Sequence, residues 1–173
     1  MPPTDNLVRP VLKLLHEHAV EAVVIGGIAA VALGVPLTTF DVDVCYDPDP
    51  ANIERLISAL RAVNARLPVA RMSDEEARAL PFQIETRTFR DNEMLTLRTD
   101  VGTLDLLKIV PGVGDYSAVG AASVEAEVFG IRFLALDLPA LVANKRATAR
   151  ARDIAALPLI EATLRARELE EKR

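Results

Sequence analysis

The stretch VVIGGIAAVALGVPLTTFDVDVC, running from Val23 to Cys45, decides how the rest of the chain is read. It opens with an apolar strand-like run (Val23, Val24, Ile25) that ends in Gly26-Gly27, continues as a small-residue helical segment from Ile28 to Leu33, and closes with the alternating Asp41-Val42-Asp43-Val44. Residues i and i+2 of a strand share a face, so both aspartates point one way while both valines point into the core. Strand rise sets the two like charges about 7 Å apart. Such a pair is unfavourable unless a cation sits between, and oxygen ligands suit a hard divalent ion, magnesium first.

Downstream, Gly34 and Pro36 form a helix stop signal. The aspartate strand ends at Asp47-Pro48-Asp49-Pro50, where Asp49 can cap a helix and Pro50 can fill its first position. That helix carries Ile53, Leu56, Ile57, Leu60 and Val63 at helical spacing, a core-facing stripe. Upstream, Val11, Leu14 and Leu15 share a helix face, with Pro10 marking its start or a kink. His16 and His18 diverge on such a helix and do not share a metal.

Residues 65–93 read as a variable surface insertion, with Ser73 and Glu76 as a capping box. Met94–Arg98 is extended, Val101-Gly102-Thr103 a turn and Leu104–Val110 a buried strand, in which the charged Asp105 demands a partner. Pro111-Gly112-Val113-Gly114 breaks that strand, and a hairpin follows, Val124–Phe129 and Ile131–Ala135 around Gly130. Asp137 caps a helix through Leu141 to Lys145, and 153–157 and 158–169 form one or two more, with Pro158 opening the last.

The 173 residues, half of them hydrophobic, suit one domain with a real core, about 19–136, followed by C-terminal helices over 137–173. There is no Trp and only 4% aromatic residues, which argues against a stacked-ring platform for single-stranded nucleic acid. The net charge of −5 excludes a global basic field, but Lys145, Arg146, Arg150 and Arg152 gather positive charge in one place. A lone cysteine, Cys45, in an apolar strand reads as a buried thiol in a reducing, cytoplasmic setting. No signal-peptide pattern opens the chain and no apolar run reaches membrane-spanning length.

Gly26-Gly27, a thirteen-residue spacer and Asp41-Val42-Asp43-Val44 together resemble the signature of the polymerase-β-like nucleotidyltransferases, with Leu104-Asp105-Leu106 similar to their third carboxylate strand. The small bacterial branch of minimal nucleotidyltransferases and toxin–antitoxin toxins is the nearest in pattern, and Lys145, Arg150, Arg152 and Asp153 resemble its downstream lysine and basic-aspartate helix. The resemblance implies an α/β (α+β) nucleotidyltransferase fold, a small mixed twisted sheet backed by helices with a helical C-terminal segment. It implies transfer of a nucleoside monophosphate from an NTP to a hydroxyl on an RNA 3′ end, a protein side chain or a small molecule. It further implies two magnesium ions on Asp41, Asp43 and Asp105, with Asp105 also as base, nucleotide binding by Gly26, Gly27, Thr39 and Lys145, and acceptor contacts from Arg150, Arg152 and Asp153. An antitoxin-type protein partner would accompany a toxin role. One position departs: the branch has Gly-x-Pro-Arg-x-Thr where this chain has Gly34-Val35-Pro36-Leu37-Thr38-Thr39, so a guanidinium clamp is missing.

Each feature taken singly has a plainer reading: tight packing for Gly-Gly, a solvated strand face for Asp-x-Asp, an arginine ion pair for Asp105, a solvated helix face for the Lys145–Asp153 cluster. The competing functional class is a catalytically degenerate nucleotide-binding or regulatory, partner-binding protein, for which Leu37 speaks.

Overall fold

A computed structural model describes residues 3–68, 71–79 and 84–172. The elements are α1 (Pro3–Glu17), β1 (Ala22–Ile25), α2 (Gly26–Ala32), β2 (Asp41–Tyr46), α3 (Pro50–Ala62), α4 (Asp74–Arg78), α5 (Thr86–Asp91), β3 (Met94–Thr99), β4 (Gly102–Leu107), β5 (Ile109–Val110), β6 (Gly114–Asp115), α6 (Tyr116–Ala121), β7 (Ser123–Val128), β8 (Ile131–Leu136), α7 (Leu138–Thr148) and α8 (Ala151–Glu171). Six strands form one mixed sheet in the order β3-β4-β2-β1-β8-β7, and β5 and β6 make a small separate hairpin. β2 lies antiparallel to β1 and parallel to β4, and β1 is parallel to β8. The sheet backed by helices is the expected mixed α/β architecture.

The alternation of β2 is realised as expected. Val42, Val44, Leu104 and Leu106 are fully buried in the core that also takes in α1, while Asp41 and Asp43 belong to the alternate, half-buried set. Asp49 accepts from the Ala51 amide at 2.9 Å with Pro50 opening α3, and Asp137 Oδ1 accepts from the Ala140 amide at 2.8 Å at the start of α7. These caps form because the aspartate oxygen replaces a partner that first-turn amides lack. The fully buried Asn52 fastens α3 to the sheet, donating to Glu21 O and Asp47 O and accepting from the Glu21 amide.

Several expectations are corrected. α1 begins seven residues before Pro10, which sits inside it; the lost amide bond is offset by burial of Val8, Val11, Leu12 and Leu15. Pro158 likewise lies inside a single α8, held by the buried Ile160. The turn before β4 falls at Asp100-Val101, not 101–103, so Gly102 and Thr103 are already strand; β4 then ends at Leu107, with a bend at Lys108. Between that bend and the 123–136 hairpin lies α6, capped by Asp115 through the Ala118 amide. Its sequence YSAVGA offers one fully buried apolar residue, Val119, too little for a periodic signal.

The 65–93 segment is more than a surface insertion. Ile84 and Phe89 enter the core, Phe89 packing edge-on against Tyr46 with centroids 5.7 Å apart. Arg61 donates to Ile84 O, and Arg66 and Arg78 both pair with Asp100. The Ser73–Glu76 capping box is present, and residues 69, 70 and 80–83 of the segment lie outside the described residues. His18 Nδ1 donates to Leu14 O at 3.0 Å and His16 is exposed.

Candidate active site

β1 passes into α2 without a loop, so the chain reverses at Gly26, whose φ of +64° belongs to the left-handed region that favours glycine. A side chain at Gly26 would run into Asp43 Oδ2, and one at Gly27 would stand 2.6 Å from Thr39 Oγ1. The glycines are therefore where two polar side chains of the β2 region lie against the α2 backbone. Parallel pairing of β2 with β4 sets Asp43 directly beside Asp105, and Asp41 is two residues earlier on the same face.

All ten residues singled out from the sequence line one cleft of about 470 Å³: Gly26, Gly27, Thr39, Asp41, Asp43 and Asp105 from the sheet side, and Lys145, Arg150, Arg152 and Asp153 from α7, α8 and the turn between them. Leu37 lines it too, half-buried against the core. Further lining comes from residues the sequence reading passed over: Phe40, Glu93, Asn144 and Thr148. Phe40 is 49% exposed although aromatic, a signal visible only once its place at the cleft mouth is known. Asn144 Nδ2 donates to Pro111 O at 2.9 Å and ties α7 to the β5–β6 turn.

The electrostatics are those of crowded carboxylates. Burial, then the neighbouring Asp105 charge, raises the Asp43 carboxyl from its ordinary 3.8 to about 6, while the Lys145 charge opposes the rise and Asp41 adds least. Asp105 is only 8% exposed, and its Oδ1 is buried with no hydrogen-bond partner. Among the described residues Asp105 forms no ion pair, so the arginine-partner reading does not hold. A buried, unpartnered carboxylate oxygen beside a second carboxylate driven toward protonation fits an oxygen-ligated divalent cation, which would satisfy the one and hold the other ionised. Among the described residues, however, no three His, Cys, Asp or Glu side chains are gathered tightly enough to close a metal site by themselves. The contacting pair is Asp43 and Asp105.

Lys145 and Asp153 form the second cluster. Lys145 Nζ stands 2.6 Å from Asp153 Oδ1, Thr148 Oγ1 donates to Asp153 Oδ2 at 2.8 Å, and Arg150 Nε lies 3.9 Å from that same oxygen. Asp153 is 3% exposed. Burial pushes its carboxyl up, but the hydrogen bonds from Lys145 and Thr148 together with the Lys145 and Arg150 charges outweigh it and hold the group below its usual range. Lys145, Thr148 and Asp153 are thus drawn together, with Asp153 turned onto Lys145, while Arg150 and Arg152 are exposed. Cys45 is fully buried, and burial with the Asp115 charge pushes its thiol up to about 12.

No protein-family model matches the sequence, and no curated protein matches it. Solved structures do. The solution structure of the antibiotic-resistance factor ANT(2'')-Ia aligns over 95% of this chain and 85% of its own, with a TM-score of 0.59 at 14% identity. Its crystal structure with adenylyl-2''-tobramycin aligns over 95% and 91%, with a TM-score of 0.58 at 14% identity. The lincosamide antibiotic adenylyltransferase LnuA, with lincomycin bound, aligns over 92% and 98%, with a TM-score of 0.56 at 14% identity. The chain has the nucleotidyltransferase fold. No helix among the described residues is long and apolar enough to cross a membrane.

Proposed function

We propose that this protein is a nucleotidyltransferase that moves a nucleoside monophosphate from an NTP to a hydroxyl acceptor. The observation that carries the reading is the Asp43–Asp105 pair on neighbouring parallel strands at the cleft, with Asp105 Oδ1 buried and unpartnered. The shared fold supports it, as do the neighbours' ligands, adenylyl-2''-tobramycin in one and lincomycin in the other.

Asp41, Asp43 and Asp105 would hold magnesium, which when bound neutralises polyphosphate charge and favours departure of pyrophosphate. The backbone at Gly26 and Gly27 and the Thr39 hydroxyl line the cleft beside these carboxylates and would take phosphate oxygens. Lys145 and the exposed Arg150 and Arg152 give the α7–α8 side of the cleft a positive charge suited to the triphosphate. The acceptor oxygen bonds to the α-phosphorus, the bond to pyrophosphate breaks, and the acceptor proton would pass to the Asp105 carboxylate through the oxygen that the cation does not hold.

Among acceptors, a small molecule draws support from the neighbours' ligands; an RNA 3′ end and a protein side chain are tested alongside it. The proposal does not extend to a toxin–antitoxin role or to an antitoxin-type partner. The second reading, a degenerate nucleotide-binding protein, is favoured by Leu37, which lines the cleft without offering charge. Incubation with α-labelled NTPs and magnesium, plus total RNA, total protein, tobramycin or lincomycin, separates the two. Label on any acceptor supports transfer; NTP binding without transfer to any fraction supports the degenerate reading.

A further inference from the structure

Lys145 is a compact charge on a flexible four-carbon stem, and an unrestrained lysine gives up much of its rotamer freedom when it docks on a ligand. Here that freedom is already curtailed, because its ammonium rests on a carboxylate that is itself buried and held by a second hydrogen bond. Asp153 is buried at the first turn of α8, one oxygen on Lys145 Nζ and the other on Thr148 Oγ1. The Thr148 hydroxyl has one proton and three oxygens within reach: Asp153 Oδ2 at 2.8 Å, Asn144 O at 3.1 Å and Lys145 O at 3.3 Å. The nearest is also the charged one, and a hydrogen bond to a carboxylate is about twice as strong as one between neutral groups. The same bond occupies the oxygen toward which Arg150 leans at 3.9 Å. Lys145 and Thr148 thus each hold one oxygen of the Asp153 carboxylate, while Arg150 stands farther off, on the Thr148 side. The hydroxyl fixes the orientation in which the carboxylate meets Lys145.

We infer that Thr148 is a positioning residue for the nucleotide, acting through Asp153 to hold the Lys145 ammonium in the cleft. The inference rests on the proposed role of Lys145 toward the NTP. Two of the three ammonium protons remain for phosphate oxygens once Asp153 takes one. Thr148 lies at the end of α7, where Ala149 turns left-handed (φ 49°) and delivers the chain into α8. Position 148 is therefore set by the helix hairpin, and only the hydroxyl is tunable.

The test uses Thr148→Val, which keeps the branched shape and removes the hydroxyl, and Thr148→Ser, which restores it. Calorimetric titration of each with the four NTPs in magnesium should show about a tenfold rise in Kd for Val, the loss of one hydrogen bond to a charged group, and a return to within about twofold for Ser. In a Lys145→Met background the Val substitution should add nothing, because its effect runs through the lysine. A Val variant that binds as wild type, a Ser variant that fails to rescue, or an additive double variant overturns the inference. A wild type that binds no NTP overturns the proposed function instead. The hold of Thr148 on Asp153 is then read without ligand, by carbon-13 NMR titration of the Asp153 carboxyl. Its pKa rises in Thr148→Val and returns in Thr148→Ser if the hydroxyl fixes the carboxylate, and an unchanged titration in Thr148→Val overturns the inference.

Discussion

Replacing Asp43 with Asn removes one charge from the carboxylate pair and keeps the side-chain shape. A carboxyl raised from 3.8 to about 6 by folding is protonated in the native state where the unfolded chain is already ionised. Its contribution to stability is therefore fully present below about pH 3.8 and is lost as pH rises through about 6. At about 1.36 kcal/mol per tenfold in proton affinity, the ionised fold at pH 7.5 is about 3 kcal/mol less stable than the protonated one. Asn at position 43 does not ionise, so the apo variant should gain up to about 3 kcal/mol over wild type above pH 6. That is about 6–12 °C in melting temperature for a domain of this size. Below pH 4 the gap should close. The assay is thermal melting of both proteins from pH 3.5 to 8 in EDTA, where the difference between the curves reports the coupled Asp43–Asp105 pair apart from the remaining titrating groups. A gap that ignores pH, or an apo variant several kcal/mol less stable at pH 7.5, would refute the reasoning. The second outcome is what a buried ion pair predicts, since breaking one costs about 3–5 kcal/mol.

Magnesium with the cognate NTP should stabilise the wild type more than either alone, by about 2.7 kcal/mol at a hundredfold excess over Kd and with a matching rise in melting temperature, and Asp43→Asn should lose that gain; unchanged melting with all four magnesium–NTP pairs counts against the enzyme reading. Leu37→Arg should tighten NTP binding or raise turnover, a charge-assisted hydrogen bond being worth about 1.5–3 kcal/mol, and calorimetry with no gain in a folded variant means that the cleft is adapted to leucine. Gly27→Ala, whose methyl would stand 2.6 Å from Thr39 Oγ1 and 2.7 Å from Thr39 Cβ, should cost about 1–3 kcal/mol in urea unfolding by forcing Thr39 off α2. Wild-type stability in that variant would mean that Thr39 moves away freely.

The elements legible in the sequence are those whose determinants lie within a few residues of one another. β2 alternates its valines and aspartates, Asp49 and Asp137 cap their own helices, and Gly34 ends α2 as a left-handed residue (φ +86°). Each is settled by strand period, by an amide two or three residues away, or by one dihedral. Pro10 and Pro158 mislead because a proline's local penalty is read directly, while the burial of Val11 or Ile160 that offsets it depends on what the helix packs against. Phe89 reads as part of a charged surface run until Tyr46, forty-three positions earlier, supplies its partner.

The candidate site divides the same way. Asp41, Asp43 and Asp105 announce themselves because charges in apolar strands are out of place. Which of them touch is decided by the β2–β4 register alone, since slipping one strand by a residue would turn Asp105 to the opposite face. The sequence names Lys145 and Asp153 as charges eight positions apart; only the left-handed turn at Ala149 folds α8 back so that they meet at 2.6 Å, with Thr148 on the remaining oxygen. Residue type and spacing thus determine what chemistry the chain can offer, and side-chain partners are set by backbone pairings that residues far apart in the chain choose jointly.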